Sequence, residues 1–360
     1  MRGVYIHIPF CKSICSYCDF CKFLYNENWA NLYLDALKQE IIEHYEKDTI
    51  KSIYIGGGTP SSLSEINLLK LFEIIKIFKL SENYEITFEC NINDINENLL
   101  NILKINGVNR LSIGVESFNK ENLKFMNRMH NKKEIFDKIQ LCKKIGFKNI
   151  NVDLIYALPI EKMCTLKKDV KNILKLNVEH ISTYSLIIED HTMLYYNNVK
   201  PIEEAIDYKM YKYICKKLSK NGYKHYEVSN FAKNNHESIH NLIYWNNEEY
   251  YGFGLGSHGY INDNRYENTR NFHKYIKGNF RFNELLVSIQ EEMENELILG
   301  LRKLEGVSIS KFNKKFERNI FEIFKLEEAI KKEYLKVVGD KIFIKEDKIY
   351  IMNEIINMIM

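Results

Sequence analysis

The sequence has no excess of charge of either sign. Its 51 Lys and Arg against 48 Asp and Glu leave a formal charge of +3 over 360 residues, so neither a polybasic nucleic-acid surface nor an acidic tail is expected. Long apolar runs are missing as well. The most apolar helical stretches, such as Leu68 to Leu80, are broken by Lys70, Glu73, Lys76 and Lys79, far short of what a membrane span needs. The opening Met1 to Pro9 is interrupted too early for the apolar core of a secretion signal, and a cytoplasmic location is expected. There is no solenoid-type repeat; the Lys, Asn and Ile bias is spread over the whole chain. Eight cysteines in a reducing compartment do not suggest a disulfide framework. Four of them fall between positions 11 and 21, and that crowding points to a metal.

The chain has the means to fold: 45% hydrophobic and 28% charged residues are ordinary for a globular protein, and the length suits one large unit with a smaller appendage. Short β-branched or aromatic runs alternate with amphipathic stretches up to Leu186, which predicts an α/β fold of six βα units around a parallel sheet, an incomplete barrel. The strands are expected at Val4–Ile8, Ser52–Ile55, Glu85–Glu89, Arg110–Val115, Asn149–Leu154 and His180–Leu186. Leu68, Phe72 and Ile75, and Leu99, Leu100 and Leu103, fall on single helical faces. Ser62 to Glu65 fits a capping box. A helix is expected near Glu203–Asn221, then a loop from Tyr223 to Tyr260. The end of the chain reads as a small α+β unit with a hairpin of Lys341–Lys345 and Lys348–Met352. The boundaries this suggests are 1–225, 226–281 and 282–360.

Three cysteines, Cys11, Cys15 and Cys18, sit directly after the first strand, where the C-terminal end of a parallel strand faces a site. Thiolates suit zinc or iron–sulfur. A structural zinc completed by Cys21 is the plain alternative, but such sites commonly use two separated Cys pairs and no second pair is present, so iron–sulfur is favoured. Gly56-Gly57-Gly58-Thr59-Pro60 follows the second strand; it reads as an ordinary glycine-rich turn or as one that lets the backbone approach a ligand. His240-Asn-Leu-Ile-Tyr244-Trp245 lies in the expected loop, where a lone histidine is more often structural or solvated than a ligand.

The run Tyr5-Ile-His-Ile-Pro-Phe-Cys-x3-Cys-x-Tyr-Cys-Asp-Phe resembles the radical S-adenosylmethionine (SAM) superfamily and, within it, the group of oxygen-independent coproporphyrinogen III oxidases and related haem chaperones. The resemblance covers most of the chain. It implies a [4Fe-4S] cluster on Cys11, Cys15 and Cys18, with the fourth iron left for SAM, and the cofactor rather than the protein carrying the radical chemistry. Cys21 departs from the oxidase spacing and is expected to be no ligand. Positions matching the family pattern imply SAM contacts at Tyr5, Tyr17, Gly57, Gly58, Thr59, Glu89, Glu116, Arg128 and Asp153, with Arg128 suited to gripping a carboxylate by two parallel bonds. Glu116 stands where the family usually has glutamine, and it cannot donate as an amide does. His240, Tyr244 and Trp245 match a haem-associated HNxxYW motif of the chaperones, which implies haem on His240. Together with a cysteine motif that begins at residue 11, this favours a haem chaperone that passes haem to an acceptor protein, a membrane-associated client included, over the alternative, an oxidase that decarboxylates coproporphyrinogen III. Nucleic acid is not an expected partner; a homodimer is compatible with the pattern.

Overall fold

Six strands pair side by side in parallel because each is followed by a segment that returns the chain across the sheet. In the computed structural model, which describes residues 1–360, they are β1 (Arg2–Ile8), β2 (Thr49–Gly57), β3 (Lys79–Asn91), β4 (Arg110–Glu116), β5 (Ile150–Tyr156) and β6 (His180–Ser185), in that order. Each expected strand lies inside an observed one, apart from Asn149 and Leu186 at the ends.

Side chains alternate along these strands. Val4, Ile6, Ile53, Ile55, Ile86, Phe88, Leu111, Ile113, Val152 and Ile181 are buried in the core. The residues between them, such as Tyr54, Glu89, Ser112, Asn151, Asp153 and Ser182, line a shared cavity. One face of the curved sheet is therefore packed and the other is polar. The helices that cover the packed face do so through Leu68, Phe72 and Ile75 of Glu65–Ile75 and Leu99, Leu100 and Leu103 of Glu97–Ile105.

The capping box at Ser62 does not form. Pro60–Ser62 is a short 3-10 turn, and Ser64 caps the helix by accepting from the Asn67 amide. Pro60 sets the backbone for that turn and shifts the helix start two residues on.

The expected loop of 223–260 is instead structured. It contains β7 (Lys224–Glu227), β8 (Asn230–Ala232), the helix Ile239–Trp245, β9 (Tyr250–Phe253) and β10 (His258–Ile261). β8 is antiparallel to β6, while β9 is parallel to β1. The segment thus runs from one edge of the six-stranded sheet to the other, and its helix packs on β1 and β2 on the way. Two more strands, β11 (Asn264–Asn268) and β12 (Arg281–Leu286), extend the sheet to the order β12-β11-β10-β9-β1-β2-β3-β4-β5-β6-β8-β7, which stays open.

The C-terminal part adds helices and a three-stranded sheet of β13 (Val307–Ser308), β14 (Leu335–Val338) and β15 (Lys341–Ile344), in the order β13-β15-β14. The hairpin therefore joins β14 to β15, not Lys341–Lys345 to Lys348–Met352. Gly339 at φ 57° supplies the tight two-residue turn with Asp340, and the later run is a 3-10 helix, Glu346–Ile351. One continuous core runs from Val4 to Ile359. No helix is long and apolar enough to cross a membrane.

Candidate functional site

A cavity of about 490 Å³ opens at the C-terminal ends of the parallel strands, and Cys11, Cys15 and Cys18 all line it. The cysteine loop is tied at both ends. Phe10–Cys11 pairs with Phe23–Leu24, and the Ser16 amide and hydroxyl donate to the carbonyls of Met126 and Phe125 at 3.2 and 2.8 Å. Thr59 Oγ1 donates to Cys11 Sγ at 3.4 Å, and Arg128 Nη1 approaches Cys15 Sγ at 3.6 Å. Burial pushes the Cys11 thiol up to about 11 and raises Cys18 as well, so these thiols need a positive partner to ionise. Three thiols facing one cavity, with no fourth cysteine of their loop among its lining, fit a multi-iron cluster whose irons each take a different thiolate and one of which is left open. Cys21 is outside this set: its Sγ lies 3.9 Å from the Arg270 carbonyl, and its own carbonyl is bonded to His7 Nε2 at 2.7 Å.

The glycine turn is shaped by what lies against it. A Cβ on Gly56 would stand 2.6 Å from the Glu89 carboxyl carbon, and one on Gly57, at φ 108°, would stand 2.3 Å from His7 Nδ1. Only glycine admits both neighbours. The Gly57 amide then donates to Glu89 Oε2 at 3.0 Å while Tyr54 donates to Oε1 at 2.7 Å. Desolvation pushes the Glu89 carboxyl up to about 7 against these two donors.

On the opposite wall, Glu116 takes φ 61° at a register shift in β4 and faces Arg128 at 3.6 Å, both side chains 9% exposed. Desolvation raises Glu116 to about 7 although the Arg128 guanidinium opposes it. Arg128 also donates to the Gly114 carbonyl. Asp153, raised by desolvation, is bonded by Asn151 at 2.8 Å. Of the nine expected SAM positions, Tyr17, Gly57, Gly58, Thr59, Glu89, Glu116, Arg128 and Asp153 line the cavity. Tyr5 does not; its hydroxyl is engaged with His7 Nδ1 at 2.9 Å. Tyr54, Arg110, Asn151, Ser182 and Asn241 line it without having been foreseen. Two of the strand residues among them lie at the two-residue period from positions already singled out, Tyr54 from Gly56 and Asn151 from Asp153; Arg110 and Ser182 have no such neighbour.

A heme chaperone HemW from Lactococcus lactis is 42% identical over 324 residues, covering 88% of this chain and 85% of the relative. One from Bacillus subtilis is 41% identical over 342 residues, covering 90% and 89%. The chain belongs to the HemW family. Family models for the radical SAM superfamily and the HemN C-terminal domain match residues 5–173 and 287–346. The solved structure of coproporphyrinogen III oxidase, HemN, from Escherichia coli superposes with a TM-score of 0.88 at 22% identity, covering 99% of this chain and 89% of that one. That likeness establishes the shared fold.

Membership in the HemW family within the radical SAM superfamily implies a [4Fe-4S] cluster and SAM, and the cavity fits both. The histidine motif is placed differently from the expectation. His240 lies on the helix Ile239–Trp245, not in a polar loop, and is 1% exposed. Its Nδ1 is bonded to Ser52 Oγ at 2.9 Å and its Nε2 to the Tyr244 hydroxyl at 2.8 Å. Desolvation drives its pKa down to about 3, so the ring is neutral, with one nitrogen donating and the other accepting. No lone pair is left for an iron in this arrangement. Tyr244 meets Tyr250 edge-on at 4.5 Å, and the Trp245 ring lies 5.6 Å below the Arg302 guanidinium. The Ile239 and His240 amides donate to Glu85 at 3.3 and 3.2 Å, near the N-terminal ends of the strands. The motif forms the floor of the cavity, and Asn241 is its one member that lines it.

Proposed function

We propose that this chain binds haem and passes it to an acceptor protein, as a radical SAM protein whose cluster sits on Cys11, Cys15 and Cys18. The observation that carries the reading is identity of 41–42% over about nine-tenths of the chain to relatives named heme chaperone HemW. When bound, a [4Fe-4S] cluster with SAM supplies one-electron chemistry. The chain's own residues position the partners. Arg128, fixed beside Glu116 and the Gly114 carbonyl, offers a guanidinium to the SAM carboxylate. The Gly57–Gly58–Thr59 turn and Glu89 suit the SAM amine, Asp153 suits hydroxyl donors, and Tyr17 closes the cavity near Cys15.

The test is an anaerobic reconstitution assayed for haem stoichiometry, transfer to a haem-free acceptor and coproporphyrinogen turnover in one preparation. Roughly one haem per chain, transferable and without decarboxylation, is the expected result. Turnover of coproporphyrinogen with no haem uptake would reject it.

A further inference from the structure

We infer that His180, buried outside the cavity, aims Asp153 at the ribose hydroxyls of SAM by fixing the side-chain amide of Asn151. His180 is a positioning residue, and the inference rests on the SAM site proposed above, in which Asp153 receives hydroxyl donors.

Strand register brings the parts together. Along the parallel strands β4, β5 and β6, Ser112 stands opposite Asn151 and Asn151 opposite His180. Asp153 is one two-residue step further along β5, so it shares a face of the sheet with Asn151. Asn151 and Asp153 line the cavity, whereas His180 is 0% exposed and does not. Asn151 Nδ2 lies 2.8 Å from Asp153 Oδ1 and 2.9 Å from Ser112 Oγ. Its Oδ1 lies 2.6 Å from His180 Nδ1 and 3.1 Å from Ser182 Oγ. On the far side of the imidazole, Nε2 is 2.8 Å from the Tyr226 hydroxyl, which accepts from the Ser238 amide at 3.2 Å.

Ionised Asp153 can only accept, and that fixes every other role in the chain. Asn151 turns its nitrogen to Asp153 and Ser112 and its oxygen to His180, so His180 Nδ1 must carry a proton. Burial pushes the His180 pKa well below its ordinary value, and the Arg110 guanidinium adds to the effect. The ring is therefore neutral, and Nε2 is left to accept from the Tyr226 hydroxyl. Tyr226 in turn is tied to Ser238, the cap of the helix Ile239–Trp245. Asn151, His180 and Tyr226 leave no buried side-chain nitrogen or oxygen unpaired.

A neutral imidazole offers one donor and one acceptor on opposite sides of a rigid ring. It can hold Asn151 through one nitrogen while Tyr226 anchors the other. Without it the Asn151 oxygen keeps only Ser182, and the amide is free to turn that oxygen towards the Asp153 carboxylate. With it, Asp153 Oδ1 is held by Asn151 and Oδ2 is left for a ribose hydroxyl.

The test is calorimetric titration of the full-length, cluster-reconstituted chain with SAM, 5′-methylthioadenosine, the 2′,3′-dideoxy analogue of the latter, and methionine. In His180→Phe, SAM and methylthioadenosine should bind about tenfold more weakly, the scale of one hydrogen bond to a charged group, while the dideoxy analogue and methionine keep their wild-type affinities. His180→Asn, whose amide nitrogen can take the place of Nδ1, should recover most of the loss. Nitrogen NMR of the wild-type protein should show a neutral histidine ring protonated on Nδ1, a signal missing from His180→Asn. Asp153→Ala should weaken the same two ligands; if it does not, the SAM role of Asp153 falls. If Asp153→Ala weakens methylthioadenosine while His180→Phe binds it as the wild type does, the SAM site stands and the role of His180 is overturned. Equal weakening of all four ligands in His180→Phe, or a His180 proton on Nε2 in the wild type, would overturn it as well.

Discussion

Glu89 accepts most strongly from a bound ammonium when ionised, yet desolvation lifts its carboxyl to about 7 despite the Tyr54 and Gly57 donors, with Asp153 raising it and Arg110 lowering it. Below pH 7 the group is increasingly protonated and the charge-assisted contact is lost. SAM affinity, measured calorimetrically on the reconstituted protein, should therefore rise between pH 6 and pH 8, and Glu89→Gln should reduce that step. An undiminished step would place the titration elsewhere. For stability the sign is opposite: a carboxyl raised from 4.5 in the unfolded chain favours folding at low pH and loses that contribution as pH climbs to about 7. Across the cavity, Arg128→Ala should weaken SAM by about 2 kcal/mol or more, the scale of a charge-assisted paired contact. Arg128→Lys should recover little, since an ammonium cannot reproduce the fork that meets the Gly114 carbonyl and a carboxylate together. Equal affinity in all three proteins would remove Arg128 from the site.

Among the elements, the helix Ile239–Trp245 separates two readings of one motif. If His240 braces the cavity floor, His240→Ala strands the Ser52 and Tyr244 hydroxyls, a cost of about 1–3 kcal/mol, and loosens the ring contact with Tyr54 at 5.3 Å, which holds Glu89. The variant should melt earlier and bind SAM more weakly while its haem spectrum is unchanged. A lost haem band with unchanged melting would return the ligand role to His240. The six parallel strands were legible because their signals are local, β-branched alternation between amphipathic stretches, whereas the eight cavity positions were reached only through the resemblance to the radical SAM superfamily, since each charge taken alone reads as a solvated group or a helix cap. The floor was not legible, because β7 to β10 are only three or four residues long and owe their existence to the two open edges of a sheet already formed. Nothing local in Asn230–Ala232 demands a strand; the free edge of β6 does. The cap at Ser64 was missed for the opposite reason. Two serines competed, and the choice rested on how Pro60 turns the chain.

At the scale of the whole molecule, the cavity draws its walls from Cys11 to Asn241, so a ligand there ties together strands that a short local contact could not. A ligand that binds only the folded chain stabilises it by mass action, about 2.7 kcal/mol at a hundredfold excess over Kd. The gain should be uneven. β1 to β5 are flanked on both sides by other strands, whereas β12 is an edge strand with Phe282, Leu285 and Leu286 turned to solvent, and the β13–β15 sheet contributes nothing to the cavity wall. Hydrogen exchange on the reconstituted protein, with and without SAM, should show added protection in the cysteine loop, the Gly56–Gly58 turn, the end of β4 and the residues around Arg128. Little should change in Leu326–Ile359 or in β12, whose amides should exchange fastest among the strands in both states. In Arg128→Ala the increment should shrink to well under half at the SAM concentration that is in hundredfold excess over the wild-type Kd, with the pattern without SAM preserved. Protection spread evenly over both ends of the chain would mean that SAM acts on global opening alone, and that the cavity does not organise the sheet.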